Sequence, residues 1–439
     1  MFKFATAFAR RDATDRHDAL EEAPRPEESA AESPLAHRFL TRQPILDPGN
    51  RIIGYELGVR GDVPLPVLPG ASDEANIGDE YLITCVADLD FRRALGNRLV
   101  LLSLSTGTLD NPLLDTLARE RTLLALQADE LTPRIAERVA ALADAGFIFV
   151  FDNYSGDIDQ IGFLQHFEYA RLDVTRLDAL NLSHLALHLR NAGQVRLIAG
   201  NVENEEALDA CRQLPFHLFQ GHHFTQLRPA APHKLDSNRM RVMDLLNMVM
   251  KHAELPKIEA AFKQDAALSI RLLRFMNSPA LGIRHEIQSI GHALMMLGHD
   301  NLYRWLTFLL FSGDQGDART LALFRTALTR ARLLEILGQE RLSPDQRGGL
   351  FLVGVLSILD ALLNVPMAQA LANLRLPQAV VSVLQANAGP YAPYLALARA
   401  CERFDQDTVA RWADQLGIPP DEINLAHVNA LIWSESLEL

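Results

Sequence analysis

The sequence has little cysteine. Three occur in 439 residues, Cys85, Cys211 and Cys401, far apart and without a CxxC pair. That excludes a disulfide framework and a zinc-finger spacing, and it fits a reducing cytosol. Long apolar runs are missing too. A membrane-spanning helix needs ~18–20 continuous apolar residues. The longest candidate, 350–363, is broken by Gly354, Ser357 and Asp360 and reads as a buried helix. Positive charge is in deficit: 42 Lys and Arg stand against 55 Asp and Glu, for a net charge of −13. Such a chain repels phosphate backbones, so no specific nucleic-acid partner is expected. Neither a P-loop nor a GxSxG nucleophile turn is present. The N-terminal MFKFATAFARR lacks the apolar core and cleavage site of a signal peptide. These absences predict a cytoplasmic protein with no membrane span.

What is present is ordinary globular composition, 48% hydrophobic and 22% charged, which rules out wholesale disorder. The length allows two or three domains. Residues 11–36 hold acids, Ala, Pro and Arg but almost no large apolar side chains. They cannot bury enough surface to offset their ordering entropy, so 1–36 reads as a disordered leader.

Residues 37–232 alternate between strand and helix patterns. Apolar runs begin near Leu99, Leu123, Phe147, Arg171, Val195 and His217, the first five at intervals of about 24 residues. That is the length of one strand plus one crossover helix. One unit carries full punctuation. Thr132 caps a helix, Pro133 fits its first turn, Ile135, Val139 and Leu142 recur at helical spacing, and Gly146 ends it before FIFVFD. PILD and RIIGYEL suggest an earlier strand pair with its turn at Pro48–Gly49–Asn50. Seven or eight strands point to a β/α barrel. The alternative, a doubly wound sheet, wants a GxGxxG loop that is absent.

After Lys234 strand-like runs stop, and 236–430 reads as an all-α domain behind a linker at 227–237. Its helices are expected at 237–253, 256–264, 266–276, 289–311, 318–338, 347–363, 377–387, 393–416 and 420–436. The class is therefore α/β plus all-α. Met240, Met243, Met248 and Met250 share one helix and read as core or helix contacts. Arg319, Arg325, Arg330 and Arg332 read as a solvated face, with a basic patch for an acidic partner as the alternative.

Chemistry in a β/α barrel sits at the C-terminal strand ends. Those ends deliver Gln43, Glu56 with Arg60, Ser103, Gln127, Asp152 with Asn153, Arg171 with Asp173, Gly200 with Glu203, and Gln220. The ordered segments QPI (43–45), GYELGVR (54–60), FDNY (151–154), RLD (171–173), AGNVE (199–203) and QGHHF (220–224) resemble an EAL domain across about 38–228. EAL domains are β/α barrels that hydrolyse cyclic di-GMP with two divalent cations. The resemblance implies that Gln43, Glu56, Arg60, Asp152, Asp173, Glu203 and Gln220 are the candidate cyclic di-GMP contacts. It also exposes departures. Leu57 and Gly58 follow Glu56 where the family has Ala-Leu. Ser103, Ala125, Asn153 and Gly200 stand where the family has metal ligands and catalytic acids, and Arg171 stands for its Lys. Together these changes remove most of the charge that would hold two cations, so no metal or other cofactor and no catalytic residue is expected.

The helical half carries NSPALGIRHEIQSIGHALMMLG (277–298), preceded by LPKIEAAFKQDAALSIRLLRFMNSP. These segments resemble an HDOD domain over about 236–420. HDOD domains resemble HD-type metal phosphohydrolases without their metal site. The His-Asp pair would fall in GVLSILD (354–360), where Ser357 and Ile358 stand instead and cannot bind a metal as that pair would. The literal His299–Asp300, just past a helix end expected at Leu297–Gly298, reads as a solvated turn. The combined expectation is a non-enzymatic bacterial signalling regulator or scaffold with protein partners. The alternatives are a cyclic di-GMP receptor without hydrolysis and a weak phosphodiesterase. The helical half is expected to fold as a separate fragment that keeps most partner binding.

Overall fold

The computed structural model describes residues 39–60, 74–226, 237–277, 287–311, 318–403 and 405–436. Eight short apolar runs become strands: β1 Phe39–Leu46, β2 Ile52–Arg60, β3 Leu99–Ser103, β4 Thr122–Gln127, β5 Ile148–Asp152, β6 Tyr169–Asp173, β7 Arg196–Gly200 and β8 Phe216–Gln220. They close a barrel in sequence order, parallel from β2 through β8 and with β1 antiparallel to both neighbours. The turn at Asp47–Asn50 reverses the chain between β1 and β2, with Asn50 at φ 64°. Around the barrel run α1 Glu74–Ala87, α2 Leu89–Leu95, α3 Pro133–Asp144, α4 Ile158–Ile161, α5 Ala179–Ala192 and α6 Glu205–Arg212. The Thr132 side chain caps α3 on the Ile135 amide and Pro133 sits in its first turn.

Period-2 alternation decides what each strand shows to the barrel interior. Ile45, Leu101, Leu123, Val150, Ile198 and Leu218 fill an apolar layer inside. Their neighbours along each strand, such as Leu102, Leu124, Phe149 and Leu197, face outward against Val139 and Leu142 of α3, Leu189 of α5 and Leu208 of α6. Both strand faces are therefore apolar, as a sheet covered on both sides requires.

The second half is helical: α7 Ser237–Met250, α8 Leu255–Lys263, α9 Ala266–Met276, α10 Ile290–Phe311, α11 Ala318–Leu337, α12 Pro344–Leu356, α13 Leu359–Leu363, α14 Met367–Leu371, α15 Gln378–Ala386, α16 Ala392–Glu402, α17 Gln406–Leu416 and α18 Pro420–Glu435. Gly298, at φ 70°, breaks α10 where the sequence placed a helix end. Five expectations need correction. His299 and Asp300 are helical and open the second part of α10, and His299 Nε2 lies 3.2 Å from the Ala253 carbonyl. The stretch 347–363 is two helices divided at Ser357–Ile358, and 393–416 is also two, divided after Glu402. Met240 is exposed, whereas Met243 is buried. Arg319, Arg325 and Arg330 are buried and paired, not solvated; Arg332 pairs with Glu335 at 2.8 Å. The partners of Arg319, Arg325 and Arg330 lie on elements far away in sequence, which helix periodicity cannot reveal. The leader 1–36 and most of the linker 227–237 lie outside the described residues.

The two halves share buried contacts. β1 meets β8 only at Ile45–Gln220 and Leu46–Phe219, so the first half of β1 has one unpaired edge. Side chains of the helical half cover it. Asn424 Oδ1 accepts the Leu40 amide at 2.6 Å, His427 Nδ1 lies 3.1 Å from the Leu40 carbonyl, and Gln406 Nε2 donates to the Phe39 carbonyl at 3.1 Å. Since a carbonyl only accepts, His427 carries its proton on Nδ1. Phe39, Leu46 and Phe224 of the barrel belong to the helical core, while Leu431 of α18 belongs to the barrel shell.

Candidate functional site

The inward positions at the C-terminal strand ends form a polar layer above the apolar one. Arg171 is its hub. Its Nε and Nη2 donate to Asp152 Oδ1 and Oδ2 at 2.8 and 2.6 Å, a two-pronged pair. Its Nη1 lies 2.9 Å from both Glu56 Oε2 and Gln220 Oε1, and its Nη2 is 3.2 Å from Ser103 Oγ. Ser103 in turn donates to Glu56 Oε1 at 2.8 Å. Gln220 Nε2 donates to Gln43 at 2.6 Å and also to Glu56. Gln127 bridges outward, donating to Asp152 at 2.8 Å and accepting from Asn153 at 3.0 Å. Burial alone would favour loss of the Arg171 proton. The adjacent Asp152 and Glu56 carboxylates overwhelm that and push its pKa further up.

The local sequence makes room for this hub. A Cβ on Gly200 would lie 3.3 Å from the Arg171 stem, so the missing side chain on β7 and the long one on β6 complement each other. Ala125, in register with Ser103, adds no polar group. Asn153 and Asn201, just past β5 and β7, take left-handed φ of 52° and 58°, which asparagine tolerates better than most residues.

Above the layer lies a cavity of about 490 Å³. Of the seven candidate contacts, Gln43, Glu56, Asp173, Glu203 and Gln220 line it. Asp152 is fully buried beneath Arg171. Arg60 ends β2 opposite Phe39, and its side chain lies outside the described residues. Asn201 donates to Asp173 at 2.9 Å, and Gln43 donates to Glu203 at 3.2 Å. Burial opposes ionisation of Glu203. The His222 ring, with Nδ1 3.7 Å from Glu203 Oε1, and the charge of Arg403 outweigh it and hold the carboxyl below its usual range. Sequence reading placed Arg171 at a strand end, in the position of the family's Lys, but did not show it as the hub. It missed Arg403 altogether. Arg403, at the C-terminal cap of α16, reaches this cavity from the other half of the chain.

Two divalent cations do not fit this layer. They need several converging, unneutralised oxygen ligands. Here a guanidinium already occupies the space between Glu56 and Asp152. In the helical half, Ser357 and Ile358 are buried. Ser357 Oγ accepts from Arg330, which also grips Glu402 at 3.0 and 2.6 Å.

Two curated proteins match this chain over most of their length. YuxH of Bacillus subtilis (strain 168) is 23% identical over 407 residues, covering 91% of this chain and 98% of its own. The cyclic di-GMP phosphodiesterase CdgJ of Vibrio cholerae serotype O1 is 24% identical over 402 residues, covering 91% and 93%. Among solved structures, the EAL enzyme Bd1971 in its cAMP- and cyclic-di-GMP-bound form aligns with a TM-score of 0.37 and 16% identity, over 43% of this chain and 62% of that one. Residues 234–381 match the HDOD domain family. The helical half of this chain therefore carries an HDOD domain.

Proposed function

We propose that the chain is a non-enzymatic regulator in cyclic di-GMP signalling, a cytoplasmic protein that acts through contacts with other proteins. The carrying observation is the Arg171 guanidinium bound to both Asp152 and Glu56. It neutralises the two carboxylates that a hydrolytic metal pair would need. An arginine stays protonated, so it cannot serve as a lysine that shares a proton with water. The helical half repeats the pattern, with Arg330 at Ser357 where the resemblance to HD phosphohydrolases would put the His-Asp pair. Without chemistry in either half, surfaces and stability remain as the means of action. CdgJ, named a cyclic di-GMP phosphodiesterase, supports the pathway.

One observation favours a second reading, a receptor that binds cyclic di-GMP without cleaving it. Five of the seven candidate contacts line one cavity at the strand ends.

The test is incubation of the full chain with cyclic di-GMP and Mg²⁺ or Mn²⁺. No linear dinucleotide should form. Product that accumulates, and that Glu56→Ala abolishes, would overturn the non-enzymatic reading.

A further inference from the structure

The barrel-mouth cavity is built by both halves of the chain. Twelve of its lining residues come from the barrel, and Arg403 comes from the helical half. We propose that Arg403 is a ligand-binding residue, supplied by the helical domain to a phosphodiester held in the barrel mouth, so that binding there is felt by α16 and α17. The proposal rests on the receptor reading given above.

The argument starts from which lining cations are available. Three arginines face the cavity: Arg171, Arg176 and Arg403. Arg171 cannot turn to a phosphate without abandoning two buried carboxylates. Arg176 lies 3.2 Å from Asp173. Arg403 is exposed, and no ion pair holds it among the described residues. It is the lining guanidinium most ready to give the paired N–H donors that phosphate takes.

Charge gives the same answer. The lining carboxylates are Glu56, Asp173 and Glu203, so the cavity holds three acids against three arginines. Without Arg403 the balance is three against two, and the mouth would repel a phosphodiester.

The base of Arg403 is fixed. Its amide donates to the Ala400 carbonyl at 3.0 Å. The preceding residue, Glu402, is buried, gripped by Arg330 of α11 and 4.0 Å from Arg42 of β1. A pull on Arg403 therefore acts on a helix end anchored to both halves. α17 begins at Gln406, whose side chain holds the Phe39 carbonyl of β1.

The experiment uses the full chain with cyclic di-GMP as probe. Calorimetric titration compares wild type with Arg403→Ala, Arg403→Lys and Arg403→Glu. Hydrogen exchange follows α16 and α17 with and without saturating ligand. Alanine should weaken binding by roughly tenfold or more, the value of one charge-assisted contact. Glutamate should weaken it further, and lysine should restore part of it. All three variants should melt with the wild type, because the side chain is exposed. Ligand should slow exchange across 392–416 in wild type but not in Arg403→Ala. Binding that Arg403→Ala leaves unchanged, or protection confined to the barrel strands, overturns the role of Arg403 and leaves the receptor reading standing. No binding to wild type overturns both.

Discussion

At the scale of single residues, the informative exchange is a guanidinium for metal charge. Arg171 ties together Glu56 and Asp152, two buried carboxylates that would otherwise face each other without a counter-ion. Breaking a buried pair costs about 3–5 kcal/mol, because the remaining charge stays desolvated. Two carboxylates would be stranded here. Arg171→Met should therefore lower stability by about 3–5 kcal/mol in urea denaturation at neutral pH. A loss below about 1 kcal/mol, the range of exposed pairs, would contradict the hub role.

At the scale of elements, α18 matters most. An antiparallel strand set against a parallel barrel leaves part of β1 without a ladder partner, and exposed edges invite mispairing. The helix replaces the ladder with side chains, Asn424 for the Leu40 amide and His427 for its carbonyl. Its last turn brings Glu435 to Arg325 of α11 and to Arg98 beside β3, each at 2.7 Å, with the Tyr55 hydroxyl also donating to it. Asn424→Leu would leave a buried amide without an acceptor. The expected loss is about 1–3 kcal/mol, read from the denaturation midpoint. A neutral outcome would mean that water reaches Leu40 and that α18 does not seal the edge.

At the scale of the whole molecule, the halves are joined through titratable groups. Burial and the nearby Arg42 charge push His427 down to about 4. Between pH ~6.5, the unfolded value, and about 4, the unfolded chain binds a proton that the folded one refuses. Stability is then complete above that window and falls as pH drops through it. Burial would raise Glu402, but Arg330 prevails and pushes it down to about 2 from an ordinary 4.5. Its contribution is present above pH 4.5 and lost as pH falls toward 2. The melting temperature should therefore decline from about pH 6.5 downward in two overlapping stages. His427→Gln should shrink the upper stage, to which the buried His223, also pushed down to about 4, contributes as well, and leave the lower one. A melting temperature level from pH 7 to 4 would show that these groups do not link folding to protons. The same joint bears on the expectation that 236–439 folds by itself. Separation would leave Glu435 without Arg98 and Tyr55, and α18 without β1.

Much of the fold was legible in the chain because local rules wrote it. The 24-residue rhythm, Thr132 and Pro133 at a helix start, and Gly298 at a break need only neighbouring residues. The same holds for the strand-end positions. Period-2 alternation already puts Gln43, Glu56, Asp152, Arg171 and Gln220 on one inward layer. The sequence could also say which family positions are changed. Tertiary structure alone decided what the changes became. Gly200 looked like a lost acid and is also room for the Arg171 stem. Arg319, Arg325 and Arg330 of α11 looked solvated because their partners, Glu402, Glu435 and the Ala361 and Gln226 carbonyls, lie outside any helical window. Arg403 gave no signal, since it is distant in sequence from every barrel residue it joins. Pairing of charges across the chain depends on where the backbone brings them, and hydrophobic periodicity carries no record of that.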